Sequence, residues 1–164
     1  MLKSNEIGPQ AYRAAMAQFA GAVHVITTRG PAGLRGTTII AACSVSDTPA
    51  TVLACLNREN ANNDIFVGNK IFALNTLGAR HEPLSVAFSG LTGLSAADRF
   101  ALGRWDTIAT GAPTLTDALA VFDCELIHAT DLATHRILYG EVKGLRVGPE
   151  ARPLLYHRRA YQVL

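Results

Sequence analysis

The 164 residues are 49% hydrophobic and only 17% charged, enough for the core of a single domain over residues 1–164 and too few for two comfortable ones. The net charge of +2 is dispersed, with one modest basic cluster at Arg152, His157, Arg158 and Arg159, which argues against a nucleic-acid interface. No apolar run approaches the roughly 20 residues of a membrane span, and the first ten residues lack the apolar segment of a signal peptide. A soluble, cytoplasmic protein without membrane contact is therefore expected.

Cys43, Cys55 and Cys124 are odd in number and widely spaced, a pattern unlike a disulfide framework or a zinc knuckle. The five histidines are too scattered to nominate a metal site. The charged fraction falls below the roughly 25% of an average domain, so part of the apolar surface is expected to meet another subunit or a ligand.

Gly8-Pro9 leads into residues 10–20, where Tyr12, Met16 and Phe19 recur at helical spacing and predict a short amphipathic helix. Residues 22–28 turn to β-branched types, and Gly30 to Gly33 form the turn of a hairpin. His24 lies in the first of these strands, where a histidine more often serves structure than ligation. Gly30, Gly33 and Gly36 have neither the spacing of a dinucleotide turn nor the lysine of a P-loop.

Residues 37–45 read as one strand, rich in small side chains and hydroxyls, on which a flat ligand could lie closely. Asp47-Thr48-Pro49 turns it into a second strand ending near Asn57. The amide-rich run Asn57 to Asp64 then passes into a short helix. Its residues alone favour capping chemistry over a set of anion-binding donors. A strand from Lys70 to Asn75, a helix from His81 to Phe88 and a capping box at Ser95 and Asp98 follow. Residues 118–129 and 135–147 alternate as half-buried antiparallel strands. Short strands without regular β-α alternation predict a mainly β, antiparallel barrel with peripheral helices.

The run GTTIIAACSVSDTPATVLACLNRENANNDIF resembles the flavin reductase-like, FMN-binding split-barrel family, and in particular the reductase components of two-component flavin monooxygenases. FAGAVHVITT, GLRG, AFSG, Trp105 and LLYHRRAY extend the similarity along nearly the whole chain. The resemblance implies an antiparallel Greek-key split β-barrel that binds FMN, or FAD in exchange, and takes hydride from NADH or NADPH. It also implies a homodimer and a separate oxygenase partner.

By that resemblance Thr38, Ile39, Ile40, Ala41, Ser44, Val45 and Ser46 border the flavin ring and ribityl chain. Cys55, Leu56, Asn57 and Asn60 continue toward the phosphate, and His135 is the catalytic position that meets the nicotinamide. Three positions depart from the family pattern: Ile40 where Ser or Asn is common, Ala50 where a second Pro is common, and Thr134 where an Asp precedes the histidine. A flavoenzyme reducing a dedicated acceptor such as a cobalt corrinoid, or a flavin-binding module without turnover, are the alternatives. No catalytic nucleophile motif is present, which suits chemistry carried by a cofactor.

Overall fold

The structure, a computed structural model, describes residues 7–164. Helix α1 (Pro9–Met16) starts with Pro9 in its first turn and ends three residues before Phe19, shorter than the periodicity suggests. Its apolar stripe is not buried: Tyr12, Met16 and Phe19 are 57%, 41% and 70% exposed. Strands β1 (Gly21–Ala22), β2 (His24–Gly30) and β3 (Gly33–Ile39) follow, then β4 (Ala42–Asp47) and β5 (Ala50–Asn57). The single strand expected over 37–45 is thus two, divided at Ile40 and Ala41 where the chain bends.

Helix α2 (Asp64–Asn69) ends on Lys70, which sits in the left-handed region at φ 60°, so β6 (Ile71–Thr76) begins one residue later than expected. Helices α3 (Glu82–Phe88) and α4 (Ala96–Phe100) start as predicted, Pro83 in the first turn of one and Ser95 capping the other. The Asp98 N–H donates to Ser95 Oγ at 3.1 Å. The remaining strands are β7 (Trp105–Asp106), β8 (Thr114–Leu115), β9 (Ala120–Leu132), β10 (His135–Val147), β11 (Leu154–His157) and β12 (Ala160–Val163).

Seven strands form one antiparallel sheet in the order β3-β2-β6-β9-β10-β5-β4. Alternation along each strand splits its side chains between two cores. Val25 and Ala73 face one, closed by Leu84 and Phe88 of α3 and Phe100 of α4. Ile26, Phe72, Leu74, Leu56 and Leu138 face the barrel interior with Phe66 of α2. Each large side chain taken fully out of water contributes about 2 kcal/mol. At Gly36 a Cβ would run into the Phe88 and Phe100 rings, so only glycine lets α3 and α4 lie this close to the edge strand β3. Trp105 completes that cluster, its ring centroid 5.0 Å from that of Phe100 and its indole N–H donated to the Phe100 carbonyl at 2.8 Å.

Buried polar groups are paired where the fold turns. Asp123 accepts the N–H groups of Ala109 and Thr110 at 2.7 and 2.8 Å, pinning the loop before β8 onto β9. Beside it, burial and the Asp123 charge push the Cys124 thiol up to about 12. The β11–β12 turn is held differently: Arg158 and Arg159 both adopt positive φ, 50° and 64°. A two-residue hairpin of that kind favours Asn-Gly, and a non-glycine residue held there costs on the order of 1 kcal/mol.

His24 closes one end of the barrel, where a cavity of about 510 Å³ opens beside Thr76, Phe122 and Val142. Its Nδ1 lies 3.1 Å from Thr76 Oγ1, and burial lowers the imidazole from 6.5 to about 4. The unfolded ring takes up a proton near pH 6.5 and the folded ring only near 4, so in that window the unfolded state binds more protons and stability falls as pH drops. A His24→Asn variant is expected to lose up to about 3 kcal/mol of this pH dependence. Denaturant titrations from pH 7 to 4 with equal slopes for both proteins would rule it out.

Candidate functional site

β3 and β4 are the two edges of the sheet and never pair with each other. Only the bend at Ile40 and Ala41 joins them, and the Ala41 carbonyl accepts the Cys55 N–H at 2.9 Å. Where β3 comes past the end of β5, a cleft of about 350 Å³ opens, lined by residues 37–41, 55–57, Asn60, Asn63 and His135. That volume lies in the lower part of the roughly 300–1,000 Å³ range of small-molecule sites. β3 is paired on one side only, so its free edge offers main-chain donors and acceptors to whatever enters.

The cleft brings together nine of the residues that the sequence nominates: Thr38, Ile39, Ile40, Ala41, Cys55, Leu56, Asn57, Asn60 and His135. Ser44 and Ser46 lie elsewhere, on the wall of the cavity beside His24. Val45 lines neither space and stands 48% exposed on β4. The whole of β4 from Ala42 lies beyond the bend at Ile40 and Ala41, on the side of that cavity, and the register shift between Ser44 and Ser46 leaves Val45 as the extra residue.

The side chains in the cleft have distinct duties. Thr38 spends its hydroxyl on the Ser85 carbonyl of α3 at 2.6 Å, so it anchors the wall rather than offering a donor. Asn57 and Asn60 use their carbonyl oxygens to accept the N–H groups of Glu59 and Asn62 at 2.9 and 3.2 Å. That is the capping chemistry, and it leaves both side-chain amino groups without a partner among the described residues. Ile40 is 46% exposed at the bend and puts apolar surface where a polar side chain is usual. Burial and the nearby Cys43 thiol raise Cys55, so it stays protonated and is no nucleophile.

Thr37 and Asn63 also line the cleft, although the sequence did not nominate them. Asn63 leads to a pair of cations. Its Oδ1 accepts Arg35 Nε and Nη2 at 3.2 and 3.0 Å, and the Arg35 guanidinium is held below its ordinary value by burial and by the charge of Arg99. Arg99 Nε is itself buried without a hydrogen-bond partner. Both guanidinium groups lie behind Asn63, and neither is among the side chains that line the cleft. Arg99 is 64 residues beyond Arg35 in the chain, so only folding brings them together.

His135 also lines the cleft, paired in register with Asn57 of β5 and Leu132 of β9. Its Nδ1 is 2.9 Å from Thr134 Oγ1, so the threonine meets the ring where an aspartate is usual. The hairpin tip beneath it is tied down by ions. Arg136 holds Asp131 through two bonds, at 2.7 and 3.1 Å, and reaches Asp64 at 2.6 Å. Arg58 lies 3.3 Å from Asp131 and donates its backbone N–H to the Thr134 carbonyl at 3.0 Å. The hydrogen bonds and charge of Arg136 keep the Asp131 carboxyl below the usual range. Among the described residues no group of three acids, histidines or cysteines is arranged for a metal, and no helix is long and apolar enough to cross a membrane.

Comparison with known proteins gives one consistent answer. The FMN reductase (NADH) RutF of Variovorax paradoxus is 45% identical over 150 residues, 92% of this chain and 82% of that protein. The ycdh protein of Haemophilus somnus 129PT, assigned as a flavin reductase, superposes with a TM-score of 0.91 at 37% identity, covering 96% of this chain and 100% of that one. A nitrilotriacetate monooxygenase component B homolog from Mycobacterium thermoresistibile superposes with a TM-score of 0.85 at 27% identity, covering 94% and 86%. The family model for the flavin reductase like domain matches residues 16–164, and the chain belongs to that family.

Proposed function

We propose that this protein is an NADH-dependent FMN reductase whose flavin lies in the cleft between β3 and β5. The observation that carries this reading is a cleft that sets the free main-chain edge of β3 beside the unengaged amino groups of Asn57 and Asn60, with Arg35 reached through Asn63. A flavin mononucleotide has the matching parts: a planar ring that hydrogen-bonds along its edge, and a phosphate. RutF relatives carry the same activity in their name.

When bound, FMN supplies the redox chemistry by accepting a hydride from the nicotinamide of NADH, which leaves as NAD⁺. The chain's own residues position and shield. Residues 37–41 and 55–57 give the ring a main-chain frame, and the small side chain of Ala41 leaves room over it. Arg35, Arg99 and the amino groups of Asn57 and Asn60 hold the anionic end. His135 sits where its ring can orient the nicotinamide over the flavin, so that donor and acceptor atoms meet in near-attack geometry. Ile40 excludes water from one side without adding a polar tether, which suits a flavin that exchanges.

The cleft is open, which supports release of reduced flavin to a separate oxygenase component, and a relative named as component B of a nitrilotriacetate monooxygenase supports a multi-component system. A second copy of the chain would cover the apolar side chains of β4, β9 and β10, where Val45, Ile127, Leu145 and Val147 are 48%, 52%, 59% and 80% exposed. Three unpaired cysteines support a reducing, cytoplasmic setting.

Arg99→Ala is expected to weaken FMN binding about 10-fold, a loss of ~1.4 kcal/mol, and to leave riboflavin binding unchanged. Equal losses for both ligands in fluorescence titrations would move the phosphate elsewhere. His135→Ala should keep its FMN affinity yet slow flavin reduction by NADH about 10-fold, ~1.4 kcal/mol of transition-state stabilisation. Stopped-flow traces at the wild-type rate would return the histidine to a structural role. Sedimentation at micromolar concentration should show a dimer that Val45→Glu dissociates, and a monomeric wild type would refute the shared interface.

A further inference from the structure

The barrel interior is plugged at one end only. There Phe66 of α2 packs against Ile26, Leu56, Phe72 and Leu138, whereas at the other end the strands run on around the cavity of about 510 Å³ beside His24. Strand pairing shows how this mouth is built. His24, Thr76 and Ala120 are register partners across β2, β6 and β9, and one step deeper Leu74, Phe122 and Leu145 are partners across β6, β9 and β10. All six side chains therefore share the interior face. Leu145 is nonetheless 59% exposed, because the space it faces is open. The mouths of β-barrels are recurrent small-molecule sites, and this volume falls well inside their range of roughly 300–1,000 Å³.

The lining dictates the kind of ligand. Val52, Leu74, Phe122 and Val142 make apolar walls, held apart by the small side chains of Ala42 and Ala120. Phe122 offers a ring for aromatic contact. Among the described lining residues there is one carboxylate, Asp47, and no lysine or arginine, so a phosphate-bearing nucleotide finds no counter-charge there. The polar groups converge on His24. Its Nδ1 is engaged with Thr76 Oγ1 at 3.1 Å, and its Nε2 has no partner among the described residues. Burial lowers this imidazole to about 4, so the ring is neutral at pH 7 and Nε2 accepts from, or donates to, a hydroxyl. Ala42 lines this cavity and Ala41 lines the flavin cleft. These are consecutive residues of one bend, so the two spaces share a wall.

We propose that the mouth of the barrel is a second ligand site, for a neutral, flat aromatic molecule carrying a hydroxyl, bonded by His24 Nε2 and bearing on flavin binding through Ala41 and Ala42. The bearing on flavin rests on the FMN reductase reading; binding in the mouth does not.

The probe is 2-naphthol, neutral at pH 7 and fluorescent. Titration of the wild type should show saturable binding that persists when FMN is saturating. His24→Leu should weaken 2-naphthol about 10-fold yet leave naphthalene unchanged, whereas a purely structural histidine would move both. Ala120→Leu, which fills the mouth, should abolish binding of both while the variant still unfolds cooperatively. In the wild type, saturating 2-naphthol should shift the Kd for FMN about threefold, and Ala120→Leu should remove that shift. No saturable binding to the wild type, equal binding to Ala120→Leu, or displacement of 2-naphthol by FMN each overturns the site. A Kd for FMN that 2-naphthol leaves fixed overturns the link to the cleft. Uptake of 2-naphthol by the Val45→Glu variant alone assigns the mouth to a second copy of the chain and overturns a small-molecule ligand. A wild type that binds 2-naphthol but does not oxidise NADH with FMN overturns the reductase reading and leaves the mouth standing.

Discussion

A sheet that ends in two unmatched edges must either close, cover them or use them. Here β3 and β4 stay apart, joined covalently by Ile40 and Ala41 but not by a ladder. The features of the cleft follow from that gap. Main-chain groups of β3 are available because no strand takes them, and β5 is reachable because β4 leaves its far end open. Gly36 then lets α3 and α4 press against the back of β3, which makes a free edge rigid enough to serve as a template. Closing the barrel would stabilise the sheet and abolish the site.

Two charge arrangements flank the cleft. Behind Asn63, the charge of Arg99 lowers the guanidinium of partly buried Arg35, a like-charge pair that costs stability. Beside His135, Arg136, Asp131, Asp64 and Arg58 neutralise one another near the surface. Such exposed pairs contribute little to global stability. Their effect is local: they fix a hairpin tip to the loop carrying Asn57 and Asn60.

Much of this was legible in the sequence, for identifiable reasons. The β2–β3 hairpin announces itself through β-branched residues and its Gly-Pro turn, and the helix starts at Pro83 and Ser95 are written in single residues. The cleft wall from Thr38 to Asn60 stands out by small residues, hydroxyls and amides, and by its resemblance to a known family. The break at Ile40 and Ala41 was hidden because neither residue resists extension, and it arises from packing around Gly21 and β5. Ser44 and Ser46 part from the cleft because β4 starts beyond that break, which composition does not reveal. Arg99 is silent in sequence because its partner lies in a strand far upstream. The Arg158-Arg159 turn is illegible for a sharper reason: the backbone there is one that local preference argues against.

The pairing of His135 with Asn57 also has a consequence for how the molecule is made. On the ribosome, β5 emerges long before β10, its neighbour in the sheet, and at roughly 5–20 residues per second the wait lasts seconds. During that interval the side of β5 that later receives β10 is bare, and the loop from Asn57 to Asp64 has neither Arg136 nor Asp131 to hold it. A nascent chain at that stage cannot recognise its ligand, so flavin cannot template the early fold. It can only select the finished one.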